Sequence, residues 1–199
     1  MPEVAWLVVG LGNPGPGHAA ARHNVGFRVV AGLASAAGGC LGGPRHGALW
    51  ARAILGGRPA VLVQPQAYMN CSGPPTAAWL AEVALGPDRL LVIHDDLDLE
   101  VGRVKVAAGG GDGGHRGLRS IEEALGCLEF LRVRVGIGRS AGEDAADYVL
   151  AAPTEAEAET LRAAEARAAE AARAVLAEGP VAAMNRFNPW PPELPAAEP

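Results

Sequence analysis

His23, in the run Arg22-His23-Asn24, carries the side chain in this chain that is best suited to proton transfer. A free imidazole has a pKa of about 6.5, so it can act as a general base near neutral pH. Such a base removes a proton from an attacking water or hydroxyl. A single histidine is more often structural, so this hypothesis depends on finding partner residues for His23 elsewhere in the sequence.

A cluster of acids, His94-Asp95-Asp96-Leu97-Asp98, follows the apolar run that begins at Leu90. Carboxylates at the end of a strand commonly reach the active crevice of an open α/β sheet. An aspartate that faces His23 would hold the tautomer of the imidazole and favour its protonated form. Two alternatives stay open here: the three acids could bind Mg²⁺ through their oxygens, or they could form a polar exit from the strand.

Two asparagines lie in loops where they could contact a substrate. Asn13 is part of Gly10-Leu-Gly-Asn-Pro-Gly15, which also matches the G-x-G-x-x-G pattern of dinucleotide-binding proteins. That pattern needs a helix at the third glycine, whereas prolines flank this glycine here, so a nicotinamide enzyme is disfavoured. Asn70, in Tyr68-Met-Asn-Cys-Ser-Gly73, could donate to a carbonyl oxygen or anchor a water, or it could cap a turn.

A glycine-rich run from Gly109 to Gly117 contains His115 and Arg116 and leads into a predicted helix. Its backbone could approach a phosphate or ribose closely. Ordering so many glycines costs conformational entropy, which indicates a functional loop. Basic residues are concentrated around it, at Arg103, Lys105, Arg116, Arg119, Arg132, Arg134 and Arg139. This basic stretch could bind the phosphates of a nucleic acid, or it could be a solvated surface of mixed charge.

Short apolar runs that alternate with helical patterns predict an α/β layered domain. The Gly56-Gly57 pair between two such runs indicates a hairpin, which makes the sheet mixed, and Thr154 with Glu157 forms a capping box before the longest helix. The predicted strands are residues 4–9, 48–55, 59–63, 90–94, 103–107 and 131–137. The predicted helices are residues 24–37, 74–85, 118–125 and 154–178.

Length and cysteine content bound the remaining possibilities. A chain of 199 residues, of which 49% are hydrophobic, fits one compact domain. We place this domain at residues 1–187 and expect a loose Pro-rich tail at residues 188–199. Three cysteines without the spacing of a zinc site or a disulfide framework favour a reduced, cytoplasmic setting. With no signal peptide and no apolar run of bilayer length, we expect no membrane association.

The formal net charge of −5 argues mildly against a nucleic-acid partner. The distribution of charge weakens that argument, because residues 1–140 carry 13 basic and 11 acidic groups and the acidic excess lies in residues 141–199. Local patches matter more than the total charge for the attraction of a polyanion.

Taken together, these segments resemble bacterial-type peptidyl-tRNA hydrolase. The resemblance rests on motifs whose order and spacing match from about residue 4 to residue 150; each is weak alone, and the ordered set is highly specific. The motifs are Val-Val-Gly-Leu-Gly-Asn-Pro-Gly at residues 8–15, Arg22-His23-Asn24, Met69-Asn70 with Ser72-Gly73, His94-Asp95-Asp96-Leu97-Asp98, Gly-Gly-His115-x-Gly-Leu, and Arg132-Val-Arg134-Val-Gly-Ile-Gly.

The resemblance implies a single α/β domain, with a twisted mixed β-sheet flanked by helices, that needs neither a metal nor a cofactor. It implies hydrolysis of the ester bond of peptidyl-tRNA, which recycles tRNA from stalled or aborted translation. His23 would be the catalytic base and Asp95 would stabilise it, while Asn13 and Asn70 would position the peptide backbone and the attacking water.

The resemblance and the basic stretch together give an expected set of substrate-binding residues. The partner would be peptidyl-tRNA, bound through its acceptor end and its backbone phosphates by a monomer of this chain. The expected contacts are His18, Tyr68, Met69, Asn70, His115, Arg116, Lys105 and Arg134.

Two positions depart from the usual pattern of the family: His18 stands where Tyr is common, and Arg116 where Asn is most often found. Arginine has five donors, no acceptor and a permanent charge, so it cannot replace the acceptor role of an amide. A positive charge at a helix start opposes the helix dipole. An anion is therefore expected near Arg116, namely Asp112, one of the Asp95–Asp98 acids, or the substrate. A non-catalytic RNA-binding relative is the alternative function that Arg116 supports.

Overall fold

The computed structural model describes residues 4–139, 142 and 144–191 of the chain. Seven strands form one sheet, in the order β2-β3-β4-β1-β5-β7-β6. The strands are β1 (Trp6–Gly10), β2 (Gly42–Arg45), β3 (Ala48–Leu55), β4 (Arg58–Pro65), β5 (Leu90–Asp96), β6 (Val104–Ala108) and β7 (Leu131–Gly136). The helices are α1 (Val25–Ala36), α2 (Gly73–Val83), α3 (Arg116–Leu125), α4 (Ala145–Leu150), α5 (Glu155–Glu178) and α6 (Pro180–Phe187).

The central strand, β1, lies between β4 and β5 and is parallel to both. Strand β7 extends the parallel part beside β5, whereas β3 is antiparallel to β4 and β6 is antiparallel to β7. The predicted α/β class, mixed sheet and hairpin are confirmed. The chain leaves β1 toward one side of the sheet and later returns to the other side through β5, so a crevice opens beyond the carboxyl end of β1.

Helices cover both faces of the sheet. Helices α1, α5 and α6 pack on one face around Val30, Ala168 and Phe187, and α2 and α3 pack on the other around Trp79 and Ile121. Burial of such side chains stabilises the fold by roughly 25 cal/mol per Å² of apolar surface. Within the described ranges, no helix combines the length and the apolar character needed to cross a bilayer.

Close packing at two glycines sets the start of α1 against the central strands. A Cβ atom at Gly10 would collide with the carbonyl of Gly26, and a Cβ atom at Gly26 would collide with backbone atoms of Leu11 and Ile93. Only glycine permits this approach of two backbones. The short 3-10 turn that precedes α1 and contains His23 is thereby held against β5.

The sequence patterns miss three elements, β2, α4 and α6. Strand β2 is exposed and contains two glycines and a proline, so no apolar alternation marks it. Helices α4 and α6 have six and eight residues, too few to display a helical period over several turns.

The predicted loose tail, residues 188–199, lies outside the described residues from position 192 onward. At its start, the side chain of Asn188 bonds both backbone groups of Val106 in β6, at 2.7 and 3.0 Å. The chain is therefore anchored to the sheet one residue beyond α6.

Candidate functional site

A cleft of about 640 Å³ lies beyond the carboxyl ends of β1, β4 and β5 and collects most of the predicted site residues. Loops after these strands, the glycine-rich run and α4 contribute to its lining. The predicted residues in the lining are Asn13, His23, Met69, Asn70, Asp95, His115, Arg116 and Arg134. Of the other predicted residues, the described part of the lining does not include His18, Tyr68 or Lys105.

His23 and Asp95 form a buried pair in this cleft. Nδ1 of His23 lies 2.8 and 2.9 Å from the two carboxylate oxygens of Asp95, and the two residues are 8% and 2% exposed. Burial by itself raises the pKa of the Asp95 carboxyl, but the charges and hydrogen bonds of His23 and His115 lower that pKa well below its usual value. Asp95 is therefore ionised near neutral pH and can stabilise a positive charge on His23.

His115 is a second imidazole on the same carboxylate, a contact that the sequence did not predict. Its Nε2 lies 3.0 Å from Oδ1 of Asp95. Its Nδ1 accepts hydrogen bonds from the backbone N–H groups of Gly117 and Leu118, at 3.1 and 3.3 Å, because His115 caps the start of α3. Since Nδ1 is an acceptor, the ring proton of neutral His115 resides on Nε2 and is donated to Asp95.

The same three side chains match a metal site by residue type. One ligand atom from each of His23, Asp95 and His115 lies within 4.8 Å of the others, and two imidazoles with a carboxylate can bind several transition metals. A metal on Nε2 of His115 would force the ring proton onto Nδ1, where the N–H groups of Gly117 and Leu118 already point. This conflict favours a hydrogen-bond network over a metal centre.

The other two acids at the end of β5 are separately paired with cations. Oδ2 of Asp96 lies 2.6 Å from Nε of Arg134, and Oδ1 of Asp98 lies 2.8 Å from Arg139. Asp95 is thus the acid that meets His23, as the resemblance implied. The Mg²⁺ alternative loses support, because each of the three acids has its own partner.

A third histidine, His94, adjoins Asp95 and His115 but forms no hydrogen bond with His23 among the described residues. Its Nδ1 bonds the backbone oxygen of Asp95 at 2.7 Å, and its ring centroid is 5.0 Å from that of His115. Burial, followed by the nearby charge of His115, lowers the pKa of His94 to about 3. The imidazole of His94, which also lines the cleft, is therefore uncharged at neutral pH.

Asn13 is fixed by a residue that sequence reasoning missed, Asn24. The amide of Asn24 pairs with the backbone N–H and C=O of Asn13, at 2.9 and 2.8 Å. The backbone N–H of Met69 then donates to Oδ1 of Asn13 at 2.8 Å. This bond identifies the acceptor end of the Asn13 amide, so its NH₂ group is the end available to a substrate. The position of Asn24 directly after His23 was the available signal.

The sequence did not mark Arg22 as a functional candidate either. Its side chain connects the 3-10 turn that contains His23 to the segment between α4 and α5. Its guanidinium donates to the carbonyl of Ala152 at 3.0 Å and to Glu157 at 2.8 Å, and it lies 4.2 Å from the ring centroid of Tyr148. Because Val149 of α4 lines the cleft, Arg22 connects the candidate base to one wall of the cleft.

The outer part of the site consists of exposed and half-buried side chains. Asn70 is exposed in a 3-10 turn that lines the cleft, and the neighbouring Tyr68 is 67% exposed. His18 is half-buried in another 3-10 turn. Lys105 lies opposite Arg134 in the register of β6 and β7.

Arg116 is exposed at the start of α3 and lines the cleft. Within the described ranges it forms no hydrogen bond or ion pair, because Asp112 binds Arg119 instead, at 2.8 Å. Asp95, Asp96 and Asp98 are each held by other partners. Of the three anions expected near Arg116, the substrate therefore remains.

Comparison with known proteins gives a consistent result. Residues 7–195 match the model of the family described as peptidyl-tRNA hydrolase. The chain is 46% identical to the peptidyl-tRNA hydrolase of Frankia alni over 92% of this chain and 93% of that one, and 47% identical to that of Chloroflexus aggregans over 92% and 99%. A crystal structure of peptidyl-tRNA hydrolase from Acinetobacter baumannii superposes with a TM-score of 0.86 at 33% identity, covering 94% of this chain and 97% of that chain.

Proposed function

The chain belongs to the peptidyl-tRNA hydrolase family and hydrolyses the ester bond between peptide and tRNA; we propose that His23 is the base that activates the attacking water. The reaction frees tRNA for further use in translation. The observation that carries the assignment is the buried contact of Nδ1 of His23 with Asp95 at 2.8 Å. That contact leaves Nε2 as the ring nitrogen available in the cleft.

In the proposed mechanism, Nε2 of His23 takes a proton from water while the water oxygen attacks the ester carbonyl carbon. Asp95 stabilises the imidazolium that forms and holds the ring in place. The tetrahedral intermediate then collapses, the bond to the ribose oxygen breaks, and the imidazolium returns the proton to that oxygen. General base catalysis of this kind contributes about 10²–10⁴-fold to the rate.

Asn13 and Asn70 would position the reacting groups around His23. The Oδ1 atom of Asn13 accepts a hydrogen bond from the backbone N–H of Met69, so its NH₂ group is the end that can donate to a substrate acceptor, such as a peptide carbonyl. Asn70 is exposed at the cleft and is free to orient the water or the ester oxygen. Positioning of this sort lowers the barrier without a further acid or base.

The charge pattern of the cleft supports a preference for substrates whose amino group is blocked. A free ammonium group would need an unpaired carboxylate, and burying it without one is unfavourable. Each acid in the described lining of the cleft already has a partner. Asp95 bonds His23 and His115, and Asp144 accepts from the backbone of α4. The others form ion pairs: Asp96 with Arg134, Asp98 with Arg139 and Asp112 with Arg119.

The test of the proposed function compares N-acetylated with free aminoacyl-tRNA as substrates of the purified protein. An unsatisfied buried polar group costs about 1–3 kcal/mol, which corresponds to about 5–150-fold in kcat/KM in favour of the blocked substrate. Equal kcat/KM values for the two substrates would contradict the assignment of this cleft. Release of the amino acid from tRNA is the measurement.

The tRNA portion would bind across the exposed side of the cleft. Arg116 and Lys105 carry positive charges with no acidic partner among the described residues, and such charges bind phosphates without reading sequence. Arg134 would contribute less, because Asp96 already neutralises part of its charge. Tyr68, exposed beside Asn70, offers a ring against which a terminal base can stack, and His18 lies on a neighbouring turn.

We further propose that the protein acts in the cytoplasm as a monomer. The three cysteines, Cys40, Cys71 and Cys127, are free thiols, which fits a reducing compartment. One copy of the chain supplies all the proposed catalytic groups, because His23, Asp95, Asn13 and Asn70 line the same cleft.

A further inference from the structure

Arg132, a member of the basic stretch, is buried rather than available to phosphates. It lies on β7 and is only 4% exposed, whereas the neighbouring cations Arg116 and Arg119 are exposed. Burial, followed by the charge of Arg134, lowers the pKa of its guanidinium. A cation in such a place must have a structural use, because an unpartnered buried charge is strongly unfavourable.

The guanidinium of Arg132 donates hydrogen bonds to backbone carbonyls of the glycine-rich loop. One terminal nitrogen, Nη1, donates to the carbonyl of Gly111 at 2.6 Å, and the other, Nη2, donates to the carbonyl of Gly110 at 2.6 Å. Nη2 also lies 3.3 Å from the carbonyl of Leu128, and the guanidinium sits 5.0 Å from the ring centroid of Phe130. Arg132 also lines the cleft, but both of its terminal nitrogens already donate to carbonyl groups of the loop.

The loop needs such an anchor because its backbone is unusually free. Gly109, Gly110, Gly113 and Gly114 all adopt positive φ angles, between 59° and 99°, and a run of glycines gains much conformational entropy when it is released. The loop ends at His115, which caps α3 and donates to Asp95. A change in the path of the loop therefore moves an imidazole that is bonded to the carboxylate of the catalytic pair.

We propose that Arg132 is a positioning residue for catalysis: by binding two successive carbonyls of the glycine-rich loop, it holds His115 against Asp95. The inference rests on the proposed roles of His23 and Asp95. Lysine cannot substitute for Arg132, because its single ammonium group lacks the planar fork that matches two acceptors at once.

The first test measures kcat, KM and their salt dependence on an N-acetylated aminoacyl-tRNA for Arg132→Lys and Arg132→Gln. We expect kcat to fall by about tenfold or more in both, since misplacement of a catalytic group by about 1 Å can cost about 10²-fold, with no change in the salt slope of KM. A decrease of the slope by about 0.7–0.9 would make Arg132 a phosphate ligand and overturn the inference. An unchanged kcat would overturn it as well.

The matched control is Arg119→Gln. Arg119 binds Asp112 of the same loop, but from the exposed side, where an ion pair contributes little. This variant should keep kcat within about twofold of the unaltered protein. If it lost as much activity as Arg132→Lys, then any perturbation of the loop would be sufficient and Arg132 would have no special role.

The second test asks whether Arg132 acts through His115. In a double-mutant cycle, residues that act as one unit show non-additive effects, so Arg132→Lys should reduce kcat far less in a His115→Ala background than in the unaltered protein. Fully additive losses would contradict the inference. Arg132→Lys keeps the charge and most of the side-chain volume. A thermal melt close to that of the unaltered protein would show that its lower kcat comes from misplacement of His115 and not from unfolding. If the proposed role of His23 itself were wrong, the His23→Ala variant would remain active, which is a different result from either outcome above.

Discussion

Two regions of the cleft differ in how their polar groups are satisfied. In the inner cluster, formed by His23, Asp95 and His115, the carboxylate is 2% exposed and bonds both imidazoles. In the outer rim, formed by Arg116 in the lining of the cleft and by Lys105 and Tyr68 outside that lining, the side chains are not held by hydrogen bonds to other described residues, and Tyr68 is 67% exposed. The protein itself thus organises the proposed catalytic groups, whereas the proposed tRNA contacts are left for the substrate to organise.

This contrast follows from what each region must do. A proton-transfer group must be held in one geometry before the substrate arrives, because reorganisation during the reaction raises the barrier. Phosphate binding depends on the number and exposure of charges and tolerates mobile side chains. Substitutions in the inner cluster should therefore change kcat, while substitutions in the outer rim should change KM and its dependence on salt.

The largest effect is expected for His23→Ala. Loss of the base should lower kcat by about 10²–10⁴-fold, while the thermal melt stays close to that of the unaltered protein. The control is His46→Asn, because His46 pairs with Glu82 outside the lining of the cleft and asparagine tolerates its positive φ. A well-folded His23→Ala protein with normal turnover would remove His23 from the mechanism.

The second prediction concerns the stability of the inner region in acid. Between about pH 6.5 and pH 3, the unfolded chain binds a proton at His94 that the folded protein does not, since the folded pKa of His94 is lowered to about 3. The free energy of unfolding should therefore decrease as the pH falls, by up to about 1.4 kcal/mol per pH unit. Below its ordinary pKa of 3.8, Asp95 adds a loss in the same direction, because its pKa is also lowered in the folded state.

Urea unfolding at pH 7, 6 and 5 measures this effect. His94→Gln should flatten the dependence on pH over this range, and His46→Asn, at an exposed position, should leave it as it is. An identical slope for the unaltered protein and His94→Gln would show that His94 is not the group responsible.

A smaller effect is expected at the outer rim, for Arg116→Asn. Loss of one exposed contact to a phosphate is worth up to about 1 kcal/mol, or about fivefold in KM, and kcat should stay unchanged. Arg52→Asn is the matched control, because Arg52 is exposed on β3 outside the lining of the cleft. If Arg116→Asn changed kcat more than KM, the boundary between the two regions would have to be redrawn to include Arg116.

The smallest effect is expected for Lys105→Gln, measured as a salt dependence. The slope of log KM against log salt should become shallower by about 0.7–0.9, with little change in kcat. Arg134→Gln should change the slope less, because Asp96 already binds Arg134 at 2.6 Å. Unchanged slopes for both variants would place the tRNA surface elsewhere.

The sequence by itself determined the elements with strong local signals. The apolar runs of the six predicted strands, the Gly56-Gly57 hairpin and the capping box of Thr154 and Glu157 all appear in the structure. These features depend on interactions between residues close in the chain, so their patterns can be read without knowing the fold. The ordered motifs likewise were sufficient to indicate the family, and with it the reaction.

The tertiary structure alone decided which residues of each motif act together. His23 and Asp95 are 72 positions apart, and their contact depends on the placement of β1 beside β5, which no local pattern records. Arg132 and Arg116 look alike in the sequence, as cations of one basic stretch, yet one is buried beneath the glycine-rich loop and the other is exposed in the cleft. The role of a charged side chain depends on its burial and its partners, and both are set by the packing of elements that are distant in the chain.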